Sequence, residues 1–210
     1  MALFALVGKS TILTMRKNFT LSTTAFFLLF FIVSCKKDSN GGSPLDGNWA
    51  FTSTSTKGTS TVVADDGNGT IEKTVTTSDY TSTDNKGTVS ISGGVMTSKG
   101  VSYSVSTEVS YIYYVNDVVQ DEGTQDFSFS LPSFTSASSF KVVGTDSVVF
   151  TGGASTIGGS TSGTTGAKYS ISGNTLTMVV KMDTAFIDNS YGFPAQKHDV
   201  ATQTTILTKQ

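Results

Sequence analysis

Alternation of apolar and polar residues is the dominant pattern of this chain from residue 45 onward. The longest example runs from residue 101 to residue 111, with Ser and Glu on one face and these side chains on the other: Val101, Tyr103, Val105, Val109 and Tyr111. A period of two is typical of a strand with one buried and one solvated face, because successive side chains point to opposite sides. Similar alternation in residues 124–131 and 175–185 predicts further strands of this kind.

Nine strands are predicted, separated by turns rich in Gly, Asn and Asp. They span residues 47–56, 70–78, 88–92, 101–115, 124–131, 147–151, 167–172, 175–185 and 200–209. Strands at this spacing, without a helical pattern between them, predict antiparallel sheets. We therefore expect an all-β fold, an antiparallel up-and-down barrel of about eight to ten strands, with a β-sandwich as the alternative. The Gly-, Ser- and Thr-rich composition of residues 152–166 predicts a mobile loop. Residues 187–199, which contain Pro194, are predicted to form a second loop.

The first 34 residues follow a different pattern. A basic pair, Arg16 and Lys17, precedes an apolar run over residues 25–33 that carries no charge. The run is shorter than the roughly 20 apolar residues that a membrane-spanning helix needs. We therefore interpret residues 1–34 as a signal peptide, with Met15 rather than the first Met as the true start.

The apolar run ends in Ile32-Val33-Ser34-Cys35, which resembles the bacterial lipobox. The resemblance implies that Cys35, the sole cysteine, carries acyl chains such as palmitate and becomes the new N-terminus. The alternative is a free cysteine at the end of an ordinary signal peptide.

A polar stretch over residues 35–44 follows and predicts a flexible tether. Its Lys residues followed by an acid resemble the export signals of Bacteroidota-type surface lipoproteins. The resemblance implies an outer-membrane lipoprotein of the cell envelope, periplasmic or surface-exposed, whose membrane contact is the acylated Cys35.

Charge narrows the range of partners. Loss of residues 1–34 removes three of the 14 basic residues, and the remaining 11 face 16 acidic residues, a net charge of −5. The charges are scattered without a basic stripe, so we expect no nucleic-acid partner. Residues 45–210 suffice for one core, which predicts a single all-β domain and a monomer.

The tripeptide Gly47-Asn48-Trp49 opens the first predicted strand and is similar to the G-x-W signature of the lipocalins and of bacterial lipocalin-like lipoproteins. The resemblance implies that Trp49 closes one end of a barrel and that Gly47 lets the chain enter the sheet over the ring. Lipocalins stack an Arg on this Trp. The mature chain has no Arg, so Lys209 or Lys197 would have to replace it. A core Trp of a β-sandwich is the alternative.

Residue types that carry catalysis are sparse. His198 is the only histidine, and no cysteine remains once Cys35 is acylated. No G-x-S-x-G motif occurs, so we expect no enzyme, no metal and no cofactor. Residues 65–69, Asp-Asp-Gly-Asn-Gly, have oxygen ligands at a density that suits Ca²⁺ but lack a distal bidentate Glu, which favours an ordinary turn.

Aromatic and methionine side chains are the remaining candidates for a site. They could line an apolar pocket or simply fill the core, since a barrel of about eight strands allows either. The candidates are Tyr111, Tyr113, Phe127, Phe129, Met178 and Met182. We expect a non-enzymatic lipoprotein whose lipocalin-like domain binds a small apolar ligand. The alternative is a surface-adhesion β-sandwich that binds a glycan or a protein through exposed Tyr residues.

Two tripeptides, Asp146-Ser147-Val148 and Asp183-Thr184-Ala185, resemble the D-[ST]-aliphatic acceptor for O-glycans on exported proteins of the same bacterial group. The resemblance implies glycans on Ser147 and Thr184. The alternative is that each tripeptide is an ordinary strand end.

Overall fold

The structure, a computed structural model, describes residues 43–151, 165–189 and 194–210. These residues form nine antiparallel strands, which confirms the all-β prediction. The strands are β1 (Gly47–Asp65), β2 (Ile71–Thr81), β3 (Thr83–Ser92), β4 (Val95–Val115), β5 (Val118–Val143), β6 (Ser147–Thr151), β7 (Thr165–Ser172), β8 (Thr175–Asp188) and β9 (Ala195–Lys209).

Eight of the strands close into a ring. The order is β1-β3-β4-β5-β6-β7-β8-β9, and the pairing of β9 with β1 closes it. The ninth strand, β2, shares one place in the ring with β3. β3 pairs with the first halves of β1 and β4, whereas β2 pairs with their second halves. The fold is therefore the expected up-and-down barrel, with an uneven wall.

The barrel has two different ends. At the floor end, β1 begins, β9 finishes, and the chain turns between β3 and β4, β5 and β6, and β7 and β8. The opposite end, the hairpin end, contains the connections β1–β2, β4–β5 and β8–β9.

Several strands are longer than the alternation predicted. β1 continues to Asp65, because its Ser- and Thr-rich second half pairs with β2 on one side and β9 on the other. The predicted loop over residues 187–199 is wrong for most of its length, since β8 ends at Asp188 and β9 begins at Ala195. β5 runs through Pro132, which lies where the register with β4 shifts. At such a bulge, the missing N–H of proline interrupts no regular ladder.

Some predictions concern residues outside the described ranges. The signal peptide, the acylated Cys35 and most of the tether lie in residues 1–42, which are outside them. The predicted loop over 152–166 lies outside for residues 152–164, and its last two residues belong to β7.

The apolar core fills the floor half of the barrel. Its largest fully buried side chains are Trp49, Phe150, Leu45, Ile91, Leu176, Leu207, Val105 and Val148. A second, smaller cluster of Val62, Ala64 and Ala195 lies near the hairpin end. The interior wall between them carries the buried polar residues Thr54, Thr56, Thr76 and Gln203. The interior therefore changes from apolar at the floor to polar higher up.

Candidate functional site

Trp49 closes the floor of the barrel. Its side chain is fully buried, and Nε1 donates a hydrogen bond to the Leu45 carbonyl oxygen at 3.0 Å. Lys209 Nζ lies 5.5 Å from the centre of the Trp49 ring. Gly47 has a φ of 146°, a conformation that favours glycine, and this lets the chain turn into β1 beneath the ring. Of the two lysines considered from the sequence, Lys209 is the one that lies over the tryptophan.

A cavity lies directly above the floor. Its volume is about 60 Å³, about twice the share of liquid volume that one water molecule takes. Its wall is mainly apolar, and the lining residues are Phe51, Thr54, Val89, Met96, Ser98, Val101, Tyr103, Phe134, Phe150, Met178, Val180, Gln203, Thr205 and Leu207. Small-molecule sites typically measure 300–1,000 Å³. Without side-chain movement, the cavity therefore holds only a few heavy atoms.

Gln203 and Thr54 are the most buried polar residues of the cavity wall. Gln203 Nε2 donates to Thr54 Oγ1 at 2.7 Å, and Gln203 is 2% exposed. Within the described residues, Gln203 Oε1 has no hydrogen-bond partner. An unmet buried acceptor is costly, so a donor group on a bound molecule, or a water, would be favoured here.

The wall beside the cavity contains the two shortest strands, β6 and β7. β6 pairs only with the last five residues of β5, and β7 pairs with β8 only as far as Val180. Four half-buried apolar side chains of β5 and β8 pack against the core near this part of the wall: Phe129, Leu131, Phe134 and Met182.

An aromatic cluster adjoins the cavity. Phe51 and Tyr103 have ring centres 5.8 Å apart, and Tyr103 and Phe129 have ring centres 5.9 Å apart in an edge-to-face arrangement. Tyr80 contacts both Phe127 and Phe129. Burial raises the pKa of Tyr80 to about 12 and raises that of Tyr103 further. Both phenols are therefore neutral at ordinary pH.

The predicted pocket residues lie at several heights. Met178 lines the cavity, Phe127 and Phe129 belong to the aromatic cluster, and Met182 is half-buried on β8 against the core. Tyr111 and Tyr113 lie nearer the hairpin end, where Tyr111 Oη donates to Asp121 Oδ2 at 3.2 Å. Gln203 and Thr54 were not predicted. The inward positions of β9 from Lys197 to Leu207 are mostly polar, so alternation of apolar residues could not identify Gln203.

The O-glycan candidates occupy different environments. Ser147 is the first residue of β6 at the floor end, and its Oγ donates to Asp146 Oδ1 at 2.8 Å. Thr184 is half-buried on β8, opposite Asp199 of β9. Both remain predictions.

Polar clusters elsewhere have structural roles. Asp65 Oδ1 accepts a hydrogen bond from Gly67 N, and Asp66 Oδ1 accepts hydrogen bonds from Asn68 N and Thr70 N. These carboxylate oxygens are therefore engaged within the turn itself. The backbone hydrogen bonds hold the pKa of Asp66 below its usual value. Across residues 43–151, 165–189 and 194–210, no group of three or more His, Cys, Asp or Glu side chains is placed to bind a metal. The same residues contain no helix long and apolar enough to span a bilayer.

No family model, no curated protein and no solved structure matches this chain.

Proposed function

We propose that the chain is a non-enzymatic, membrane-anchored lipoprotein of the outer membrane, with a lipocalin-like domain that binds a small apolar molecule. The observation that carries the ligand proposal is the apolar cavity above Trp49. The anchor is the acylated Cys35, which is supported by the lipobox pattern before it.

The geometry limits the size and chemistry of the ligand. The cavity wall contains ten apolar residues and four polar ones, so mainly apolar groups fit it. Because about 60 Å³ holds only a few heavy atoms, a larger molecule would fit only if lining side chains moved. Met96 and Met178 flank the cavity, and the flexible methionine side chain can move to enlarge such a space.

Adhesion through exposed aromatic residues has less support. In the described part of the chain, Phe186 is the only exposed aromatic side chain, and it is 38% exposed. Tyr80, Tyr103 and Tyr169 are buried. A glycan-binding surface usually needs rings that a sugar can stack on, so a ligand inside the barrel is the better-supported function.

A binding titration tests the ligand proposal. The mature chain with Cys35→Ser would be titrated with the apolar fluorophore N-phenyl-1-naphthylamine, whose emission rises in an apolar site. We expect saturable enhancement in the parent protein and at least a fivefold weaker apparent affinity in Ser98→Leu, because Ser98 lines the cavity. Ser106→Leu is the matched control, since Ser106 is an exposed residue of the same strand.

No saturable enhancement in the parent protein would show that the barrel does not open to a molecule as large as this probe, and would limit any ligand to the few heavy atoms that the cavity holds. Equal weakening by Ser98→Leu and Ser106→Leu would show that the probe binds elsewhere on the protein. Circular dichroism spectra of the variants that match the parent would confirm that both retain the fold.

A further inference from the structure

The two ends of the barrel differ in charge. Among the described residues, the hairpin end carries two lysines, Lys73 and Lys197, against nine carboxylates: Asp65, Asp66, Glu72, Asp117, Asp121, Glu122, Asp183, Asp188 and Asp199. The floor end carries three lysines against two carboxylates: Lys141, Lys168 and Lys209, with Asp46 and Asp146. The molecule therefore has an acidic end and a weakly basic end.

The floor end also exposes apolar side chains. Val142 is 41% exposed, Val143 52% and Ile171 39%. They lie on neighbouring turns, because Tyr169 N donates to the Asp146 carbonyl oxygen at 2.7 Å and so joins β7 to the turn after β5. We call these three residues the floor patch. Lys141 and Lys168 lie beside it in sequence and in the sheet.

The chain enters the barrel at this same end. Seven residues lie between Cys35 and Ser43, and β1 begins at Gly47 on the floor. Fully extended, the eight residue-to-residue steps from Cys35 to Ser43 span at most about 29 Å. β4 has 21 residues from floor to hairpin end, which corresponds to roughly 65 Å along the strand and roughly 50 Å along the barrel axis at a tilt near 40°. An anchor at Cys35 is therefore too short to let the hairpin end face the membrane with the floor pointing away.

We infer that the floor end faces the anchoring membrane, with the floor patch against its anionic headgroups and the hairpin end pointing away. This inference rests on the proposed acylation of Cys35. Anionic lipid attracts the floor lysines and repels the nine carboxylates of the hairpin end, so charge favours this upright orientation over a barrel lying on its side.

Depth-dependent quenching tests the orientation. The acylated protein would be reconstituted in phosphatidylglycerol-containing vesicles with nitroxide-headgroup lipid, after labelling Val143→Cys or Val118→Cys with nitrobenzoxadiazole. Acylated Cys35 has no free thiol, so only the introduced cysteine reacts. Val118 is the matched control because it is 61% exposed at the hairpin end. We expect at least twofold stronger quenching at position 143 than at position 118.

The outcomes distinguish a wrong orientation from a missing acyl anchor. Equal quenching at both positions in vesicle-bound protein, or stronger quenching at position 118, would overturn the orientation and leave the anchor intact. Protein that fails to float with the vesicles would contradict the acylation itself, and the orientation with it.

Asn174→Cys and Asn68→Cys, on exposed turns at the floor and hairpin ends, repeat the comparison if either valine variant is unstable. Lys141→Glu with Lys168→Glu should reduce the difference between the two ends.

Discussion

Replacing Trp49 with Ala should remove the floor of the barrel. The side chain is fully buried and is in the main apolar cluster with Leu45, Ile91 and Leu207. Truncation of a buried Trp to Ala typically costs about 3 to 5 kcal/mol of unfolding free energy. The Leu45 carbonyl oxygen would also lose the hydrogen bond from Trp49 Nε1. The loss of about 3 to 5 kcal/mol is a large share of a total unfolding free energy of about 5 to 15 kcal/mol.

The measurement is thermal unfolding followed by circular dichroism, because the variant lacks the only tryptophan. For a domain of this size, each kcal/mol lowers the melting temperature by about 2–4 °C, so Trp49→Ala should melt roughly 6 to 20 °C lower. Trp49→Phe keeps most of the ring area and should lose less. Val118→Ala, at an exposed position, should stay within about 0.5 kcal/mol of the parent. A Trp49→Ala variant that melts within a degree of the parent would refute the floor assignment.

Three further predictions concern the anchor, a bulge and two buried phenols. Cys35→Ser should move the protein from the membrane fraction to the soluble fraction, and unchanged detergent partitioning would refute acylation. Gly87→Ala should cost about 2 kcal/mol or more in urea denaturation, because Gly87 has a φ of 105° and an added Cβ would lie 2.5 Å from Val101 Cα. Gly67→Ala, with positive φ and open space around it, should cost less. Burial raises the pKa of Tyr80 to about 12 and also raises that of Tyr103. The stability that comes from burying these two neutral phenols is therefore complete below about pH 10 and is lost as the pH rises through about 12. If absorbance at 295 nm showed all seven tyrosines of the folded protein ionising near pH 10, this burial would be contradicted.

Alternation predicted the strands well where large apolar residues occupy one face. Residues 101–111 of β4 show this, and so do Leu176, Met178 and Val180 of β8, whose side chains are buried. Alternation fails where both faces carry Ser and Thr, as in the second half of β1. There, pairing with β2 and β9 extends the strand. Strand ends in such segments depend on neighbours that the local sequence does not reveal.

The candidate site was only partly predictable. The G-x-W resemblance placed Trp49 at the floor, and Trp49 lies there fully buried. β6 and β7 pair with only parts of β5 and β8, and only the register between strands shows this. Gln203 reads as an ordinary polar residue in the sequence, because its burial depends on the pairing of β9 with β1 and β8.

Native mass spectrometry of the mature Cys35→Ser protein, purified from its own cell envelope, tests the central claim most directly. If the barrel binds a small apolar molecule, a noncovalent mass of at most a few hundred daltons should accompany the polypeptide, and Ser98→Leu should lose it while Ser106→Leu retains it. Bare polypeptide mass in the parent protein, under conditions gentle enough to keep other lipid-binding proteins loaded, would contradict the account.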